Sequence, residues 1–273
     1  MELTNITKKQ IEELLKKDKR MDGRTHLDYR ELEIETNISK NAEGTARVRL
    51  GKTEVIVGVK MDVQIPYPDH DDEGTMMVGM EFSPISGGRY ENGPPKIDSI
   101  EVARVVDRGL RESGFIDWKK LCIKEKEKVW CVLIDIYCIN DDGNLLDASS
   151  IAAVAALKMT RFPVYDEETE KVKYGEFTKE ALPLTDNVPL SITFHKIGSS
   201  IIVDPTRNEE DTSEARVTFA ISKAKKDHMI NAMQKGNMQL VSGDELIKMI
   251  ENVEKIYDNL FPKIEKKIKA LKK

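Results

Sequence analysis

Three arginines, Arg104, Arg108 and Arg111, recur at spacings of four and three residues. On a helix that turns ~100° per residue they fall within about 80° of one another. Val102, Ala103, Val106 and Leu110 fall on the opposite side. Guanidinium is planar and permanently charged, so such a stripe suits phosphodiester oxygens and could form a phosphate-tracking surface. The alternative is a solvated helix face with Glu101 paired to Arg104. Lysine is the commoner cation in this chain, however, and solvation does not require arginine.

A second candidate is the turn Asp142-Gly143-Asn144 before a helix expected from residue 147. A glycine turn feeding a helix N-terminus can bind an anion through backbone N–H groups and the helix dipole. Asp147 already places a carboxylate there, which predicts a self-capped helix. A third is the acidic set Asp204, Glu209, Glu210, Asp211 and Glu214. It could bind Mg²⁺ or supply a general acid; an exposed acidic turn, offset by Arg216, is the simpler expectation. Asp69-His70-Asp71-Asp72-Glu73 lacks the full spacing of a calcium loop and reads as a solvated loop. The histidines, His26, His70, His195 and His228, are scattered, with no H-E-x-x-H pattern. Cys122, Cys131 and Cys138 have no paired metal spacing and read as free thiols, Cys131 and Cys138 buried in one apolar segment. The expectation is therefore no metal and no cofactor.

The elements that must position these residues belong to a chain of 273 residues, enough for about two domains or one large one. It is 40% hydrophobic and 33% charged, which gives a sizeable core and excludes a disordered or collagen-like chain. The net charge of −5 argues against nucleic acid coating the whole surface and leaves room for a local basic channel. No apolar run approaches the ~20 residues of a membrane span. The polar, Lys-rich N-terminus lacks a secretory h-region, so the cytoplasm is the expected location and no membrane partner is expected.

Along the chain, residues 4–19 predict a short helix, and residues 21–24 a turn. Period-two alternation from residue 28 to 65 predicts strands, with a hairpin about Gly51-Lys52. A proline- and acid-rich loop follows over residues 66–74, then a strand over 76–82 and a long loop over 86–95. Residues 98–113 predict a helix, with Asp98 and Glu101 at capping-box spacing and Gly114 as its stop. The apolar run 129–139 predicts a central strand buried on both faces. Residues 147–158 predict an alanine-rich helix packed closely on a sheet. The polar stretch 163–187 reads as a connection between two halves. Residues 190–196 and 200–203 predict a hairpin, and 215–222 a strand. Ser242 and Glu245 predict the cap of a last long helix that Pro262 kinks.

In this order the segments resemble the ribonuclease PH superfamily. Asp22-Gly23-Arg24 with Asp28-Tyr29-Arg30 is similar to its N-terminal D-G-R…R signature, and Gly51-Lys52-Thr53-Glu54-Val55 to its G-x-T-x-V hairpin. Glu101-Val102-Ala103-Arg104 with Arg108-Gly109-Leu110-Arg111 is similar to its E-I-x-R…R-x-L-R helix. Asp142-Gly143 before the alanine-rich helix is similar to its D-G-G…A-A element. The resemblance spans residues 20–260. It implies an α+β, ribonuclease PH-like fold with two pseudo-duplicated sheet-and-helix halves. The expected divisions are an N-terminal helix and turn (1–27), a first domain (28–165), a C-terminal domain (188–261) and a Lys-rich helical tail (262–273).

Departures from the family pattern set the expected function. Active members degrade RNA from the 3′ end with inorganic phosphate, held by an arginine where this chain has Leu146. Basic residues of active members are matched by Pro95 and Asp98. Their two aspartates, six apart, are matched by Glu210 and Arg216. An arginine does not serve as a general acid near neutral pH. The pattern resembles the non-catalytic ring subunits of the archaeal exosome, as do Val203-Asp204-Pro205-Thr206 and residues 101–108. That resemblance implies a ring of three heterodimers with a catalytic paralogue, RNA-binding cap subunits on one face, and contact with single-stranded RNA through Arg104, Arg108 and Arg111. The rival expectations are a self-sufficient phosphorolytic exoribonuclease and a scaffold that never touches RNA.

Overall fold

The computed structural model describes residues 4–224 and 227–271. Helix α1 (Asn5–Leu15) is capped by Thr4, whose hydroxyl accepts from the Thr7 N–H, and it buries Ile11 and Leu15 against Ile197 and Ile202. Strands β1 (Leu32–Thr36), β2 (Gly44–Leu50) and β3 (Thr53–Gln64) form an antiparallel meander in which β2 and β3 show near-regular alternation of burial. The two-residue link Gly51-Lys52 closes the expected hairpin, with Leu50 opposite Thr53.

Strand β4 (Thr75–Phe82) leads into helix α2 (Ile97–Glu112), then strands β5 (Cys122–Lys124) and β6 (Lys128–Asn140). The first sheet has the order β1-β2-β3-β6-β4, with β5 paired to β6 and β4 running parallel to β6. The first half of β6 is buried on both sides, as its apolar run predicts. Its second half alternates, and Asp135 and Tyr137 face outward. Helix α2 starts one residue before Asp98, so Lys96 is the N-cap and the expected Asp98–Glu101 capping box does not form. Asp98 instead stands in the first turn, where a carboxylate meets the positive end of the helix dipole.

Helix α3 (Leu145–Met159) is buried from Leu145 to Leu157 and lies between the two sheets, on β2 and β3 on one side. Small side chains on all its faces permit this placement. The stretch read as a connection folds into a hairpin, β7 (Arg161–Asp166) with β8 (Lys171–Ala181). It is fastened by Phe162 and Tyr165 against Trp130, at ring separations of 5.3 and 5.9 Å, and by Lys60 over the Tyr174 ring at 4.2 Å.

The second sheet has the order β10-β9-β11-β12 and is antiparallel throughout. Its members are β9 (Leu190–Ile197), β10 (Ser200–Val203), β11 (Ala215–Ala224) and β12 (Asp227–Gly236), with the short helix α4 (Arg207–Thr212) between β10 and β11. Strand β9 touches α3, and β12 touches α2, so both helices are shared by the two sheets. Helix α5 (Gly243–Leu271) forms the expected capping box: Ser242 N–H donates to Glu245, and Glu245 N–H to the Ser242 hydroxyl. It continues past Pro262 and packs on β1, β9 and β11. Each half thus ends in a long helix, with α2 interrupting the strands of the first half and α4 those of the second. Among the described residues no helix is long and apolar enough to cross a membrane.

Candidate functional site

Arg104, Arg108 and Arg111 emerge on the exposed face of α2, while Val102, Ala103, Val106 and Leu110 are buried. They line a cleft of about 520 Å³ whose other walls are Met77 and Val78 of β4 and Gln234 of β12. Both strands are sheet edges, so the arginine face lies between two open margins. Arg111 is committed within the chain: it pairs with Asp107 at 2.8 Å and donates to the Met76 carbonyl at 3.0 Å. Arg104 and Arg108 make no ion pair or side-chain hydrogen bond among the described residues. The expected Glu101–Arg104 pair does not form, because Glu101 turns to Arg216 of β11 at 2.5 Å.

Leu146, Glu210 and Arg216 line one cavity of about 390 Å³. Leu145 and Leu146, the first residues of α3, give it an apolar floor. Arg216 packs over Gly236, where a Cβ would sit 2.5 Å from Nη2 and would displace the guanidinium. Arg207 joins Asp141 at 3.0 Å and Asp211 at 2.5 Å, and Arg89 joins Asp211 at 2.9 Å. Burial raises the Glu210 pKa against the opposing pull of Arg207, 3.6 Å away. Burial, helped by the Arg216 charge, pushes the His195 imidazole down to about 3, so it is neutral at physiological pH. Arg89, Tyr90, His195 and Arg207 were not singled out by sequence. For Arg207 a signal existed, since Thr206-x-x-Glu209 forms a capping box and Arg207–Asp211 is an i,i+4 pair.

The turn before α3 corrects a second expectation. Gly143 (φ 88°) presses against the entry to α4, where a Cβ would lie 2.6 Å from the Pro205 carbonyl oxygen. Asn144 is the N-cap in a left-handed conformation and makes no side-chain cap. Asp147 does not cap its own helix. Its buried carboxylate accepts from the Tyr29 hydroxyl at 2.6 Å, the Thr193 hydroxyl at 2.7 Å and Asn144 Nδ2 at 3.1 Å. Burial outweighs these donors and raises its pKa to about 6. The anion at the turn is Glu210, which accepts the Asn144 N–H at 3.0 Å.

The acidic set is not an exposed turn: four of its five carboxylates are paired with arginines. Asp204 is fully buried and accepts from Arg30 Nη2 at 2.7 Å, Arg24 Nη1 at 3.0 Å and Asn144 Nδ2 at 2.8 Å. Arg20 and Glu209 form a second buried pair at 2.5 Å. Arg216, the expected counter-charge, is engaged elsewhere. Only Glu214 is exposed. Asp22-Gly23-Arg24 and Arg30 therefore act as a clamp that ties the N-terminal segment to the start of α4. In the loop 69–73, Asp71 and Asp72 lie near Lys126 and Lys119 at 3.8 and 3.7 Å.

The ribonuclease PH patterns of the 3′ exoribonuclease family match this chain in two places: domain 1 over residues 28–163 and domain 2 over residues 187–255. The chain belongs to the 3′ exoribonuclease family. Within it, the chain is 44% identical to the exosome complex component Rrp42 of Methanosarcina mazei, over 91% of this chain and 90% of the relative. It is 41% identical to the component of the same name from Archaeoglobus fulgidus, over 98% of each. A structure described as the Archaeoglobus fulgidus exosome with RNA bound to the active site contains a chain that superposes with a TM-score of 0.83 at 38% identity, covering 96% of this chain and 98% of that one. A chain of an archaeal exosome core gives 0.82 at 36% identity, covering 96% and 97%. The ribonuclease PH-like α+β fold expected from the motifs is the fold of the molecule.

Proposed function

We propose that this chain is a non-catalytic ring subunit of an archaeal exosome, a complex that degrades RNA from the 3′ end with phosphate. It pairs with a catalytic ribonuclease PH-like paralogue, three heterodimers forming a hexameric ring with RNA-binding cap subunits on one face, in the cytoplasm. The full-length similarity to exosome components supports the assembly. The observation that carries the inactive reading is the Arg216–Glu101 pair over the Leu146 floor. It leaves a guanidinium where proton transfer needs an acid of tunable pKa, and an apolar side chain where phosphate needs a cation.

The chain contributes to the complex by bracing the partner's site and by contacting RNA through α2. Arg104 and Arg108, uncommitted among the described residues, are the principal contacts, and Arg111 is an auxiliary one held by Asp107. Phosphate contacts position RNA without reading its sequence, which suits a degrader of varied substrates. RNA affinity of the assembled ring, measured across a salt series, tests this. Arg104→Glu and Arg108→Glu are expected to weaken binding and to reduce the salt slope by about one for each phosphate that is no longer neutralised. Unchanged affinity in an intact ring favours the scaffold reading instead.

A further inference from the structure

Alternation along β3, β6 and β4 gives the first sheet an inner face packed on α2 and α3 and an outer face that no helix covers among the described residues. At the centre of that outer face three residues stand in one row: Gly58 of β3, Asp135 of β6 and Gly79 of β4. Asp135 therefore has a glycine on either side. The fold itself calls for neither glycine, since neither has a positive φ. A Cβ on Gly58 would meet only Ala42, at 3.8 Å, and one on Gly79 only Asp135 Oδ1, at 3.4 Å, both ordinary contacts. A glycine inside a strand weakens it and marks a bulge or a place where another chain comes close. The register runs unbroken through both positions, so a bulge is not the reason.

The rows on either side are apolar. Ile56 stands beside Tyr137 in one, with Glu81 next on β4, and Leu133 stands beside Met77 in the other. Tyr137 and Met77 are 44% and 49% exposed. Neighbouring strands lie ~4.8 Å apart, so the two glycines open a slot about 10 Å wide from β3 to β4, with the Asp135 side chain at its middle. Asp135 and Glu81 make no ion pair or side-chain hydrogen bond among the described residues. The sheet desolvates the Asp135 carboxyl and Glu81 adds like charge, so its pKa is raised and a cation is favoured there. Unpaired carboxylates repel RNA. A guanidinium suits the slot, because it is planar, weakly hydrated and pairs with a carboxylate through two parallel bonds. We propose that this face docks an extended segment of a partner protein, with an arginine of that segment in the Gly58–Gly79 slot on Asp135 and apolar residues two positions to either side covering Tyr137 and Leu133. Same-side residues of an extended chain repeat about every 6.7 Å, which is also the spacing of the three rows along β6. The inference rests neither on the ring nor on RNA contact through α2, so each succeeds or fails separately.

The test is titration of the peptide acetyl-Leu-Thr-Arg-Thr-Leu-amide into the full chain, followed by the backbone amide resonances. Saturable shifts centred on Gly58, Asp135 and Gly79 are expected. The same peptide with citrulline in place of arginine keeps the shape and loses the charge. It should bind at least about tenfold more weakly, the loss expected for a hydrogen bond to a charged group. Asp135→Asn should weaken the arginine peptide by a similar factor, and so should Gly79→Val, which fills the slot and leaves the carboxylate in place. Gly58→Ala and Gly79→Ala should each raise the urea midpoint or leave it unchanged, because a strand interior prefers alanine where nothing internal needs glycine. No saturable shift at these residues, equal binding of the citrulline peptide, displacement of the peptide by a short RNA, or a lower midpoint for either alanine variant overturns the proposal.

Discussion

Arg30 and Asp204 meet at two points, Nη2 to Oδ1 at 2.7 Å and Nε to Oδ2 at 3.0 Å, with both side chains out of solvent. Asp204 holds a left-handed backbone (φ 46°), uncommon for a residue with a Cβ, and the arginines over-determine it. Removing one partner of a buried pair leaves the other charge uncompensated. Asp204→Ala is therefore expected to cost about 3–5 kcal/mol, read as a drop in the urea midpoint. A cost below ~1 kcal/mol contradicts the clamp. His195 gives a pH signature. Its folded pKa of about 3 lies below its ordinary value of 6.5, so the unfolded chain takes up a proton that the folded chain refuses. Its stabilising contribution is complete above pH 6.5 and is lost as pH falls toward 3, by about 2 kcal/mol at pH 5. Asp147 acts in the opposite direction: its folded pKa of about 6 lies above 3.8, so stability rises as pH falls between those values. Comparing His195→Gln with the parent isolates the histidine part. The variant should lose less stability between pH 7 and 5, and an identical loss contradicts the assignment.

At the scale of elements, α3 is the most constrained, because it faces both sheets. Ala153 is fully buried there. Ala153→Leu adds volume where nothing can yield and is expected to cost about 1–3 kcal/mol in thermal or urea unfolding. A neutral result would mean that the layer has slack. The helices with one apolar face, and strands β2 and β3 with their alternation, were legible in the sequence because half of each is buried. The β7–β8 hairpin was not, since β8 is solvated almost throughout and carries no alternation. Strand β12 was missed for a related reason: it is a largely solvated edge strand, with Met229, Ile230 and Met233 exposed, and a bulge after Ala220 of its neighbour interrupts its register. The arginine face was legible as helical spacing. Its real pairing was not, because Glu101 meets a residue 115 positions away. The positions Leu146, Glu210 and Arg216 were found by motif, whereas Arg89, Tyr90 and His195 reach the same cavity from separate segments that no local pattern connects.

For the whole molecule, a net charge of −5 with two arginines on one face that are uncommitted among the described residues suits a subunit that touches RNA locally. The two sheets share α2 and α3, so the arginine face and the cavity are fixed in one framework. The central claim is that this chain does no phosphorolysis itself. The most direct measurement is shortening of a 3′-tailed RNA in the presence of phosphate and Mg²⁺, first with this chain alone and then with the proposed ribonuclease PH-like partner. The account predicts no shortening by the chain alone and phosphate-dependent shortening by the mixture. Phosphate-dependent shortening by the purified chain alone would contradict it, and would mean that proton transfer proceeds without an acid at the position of Arg216.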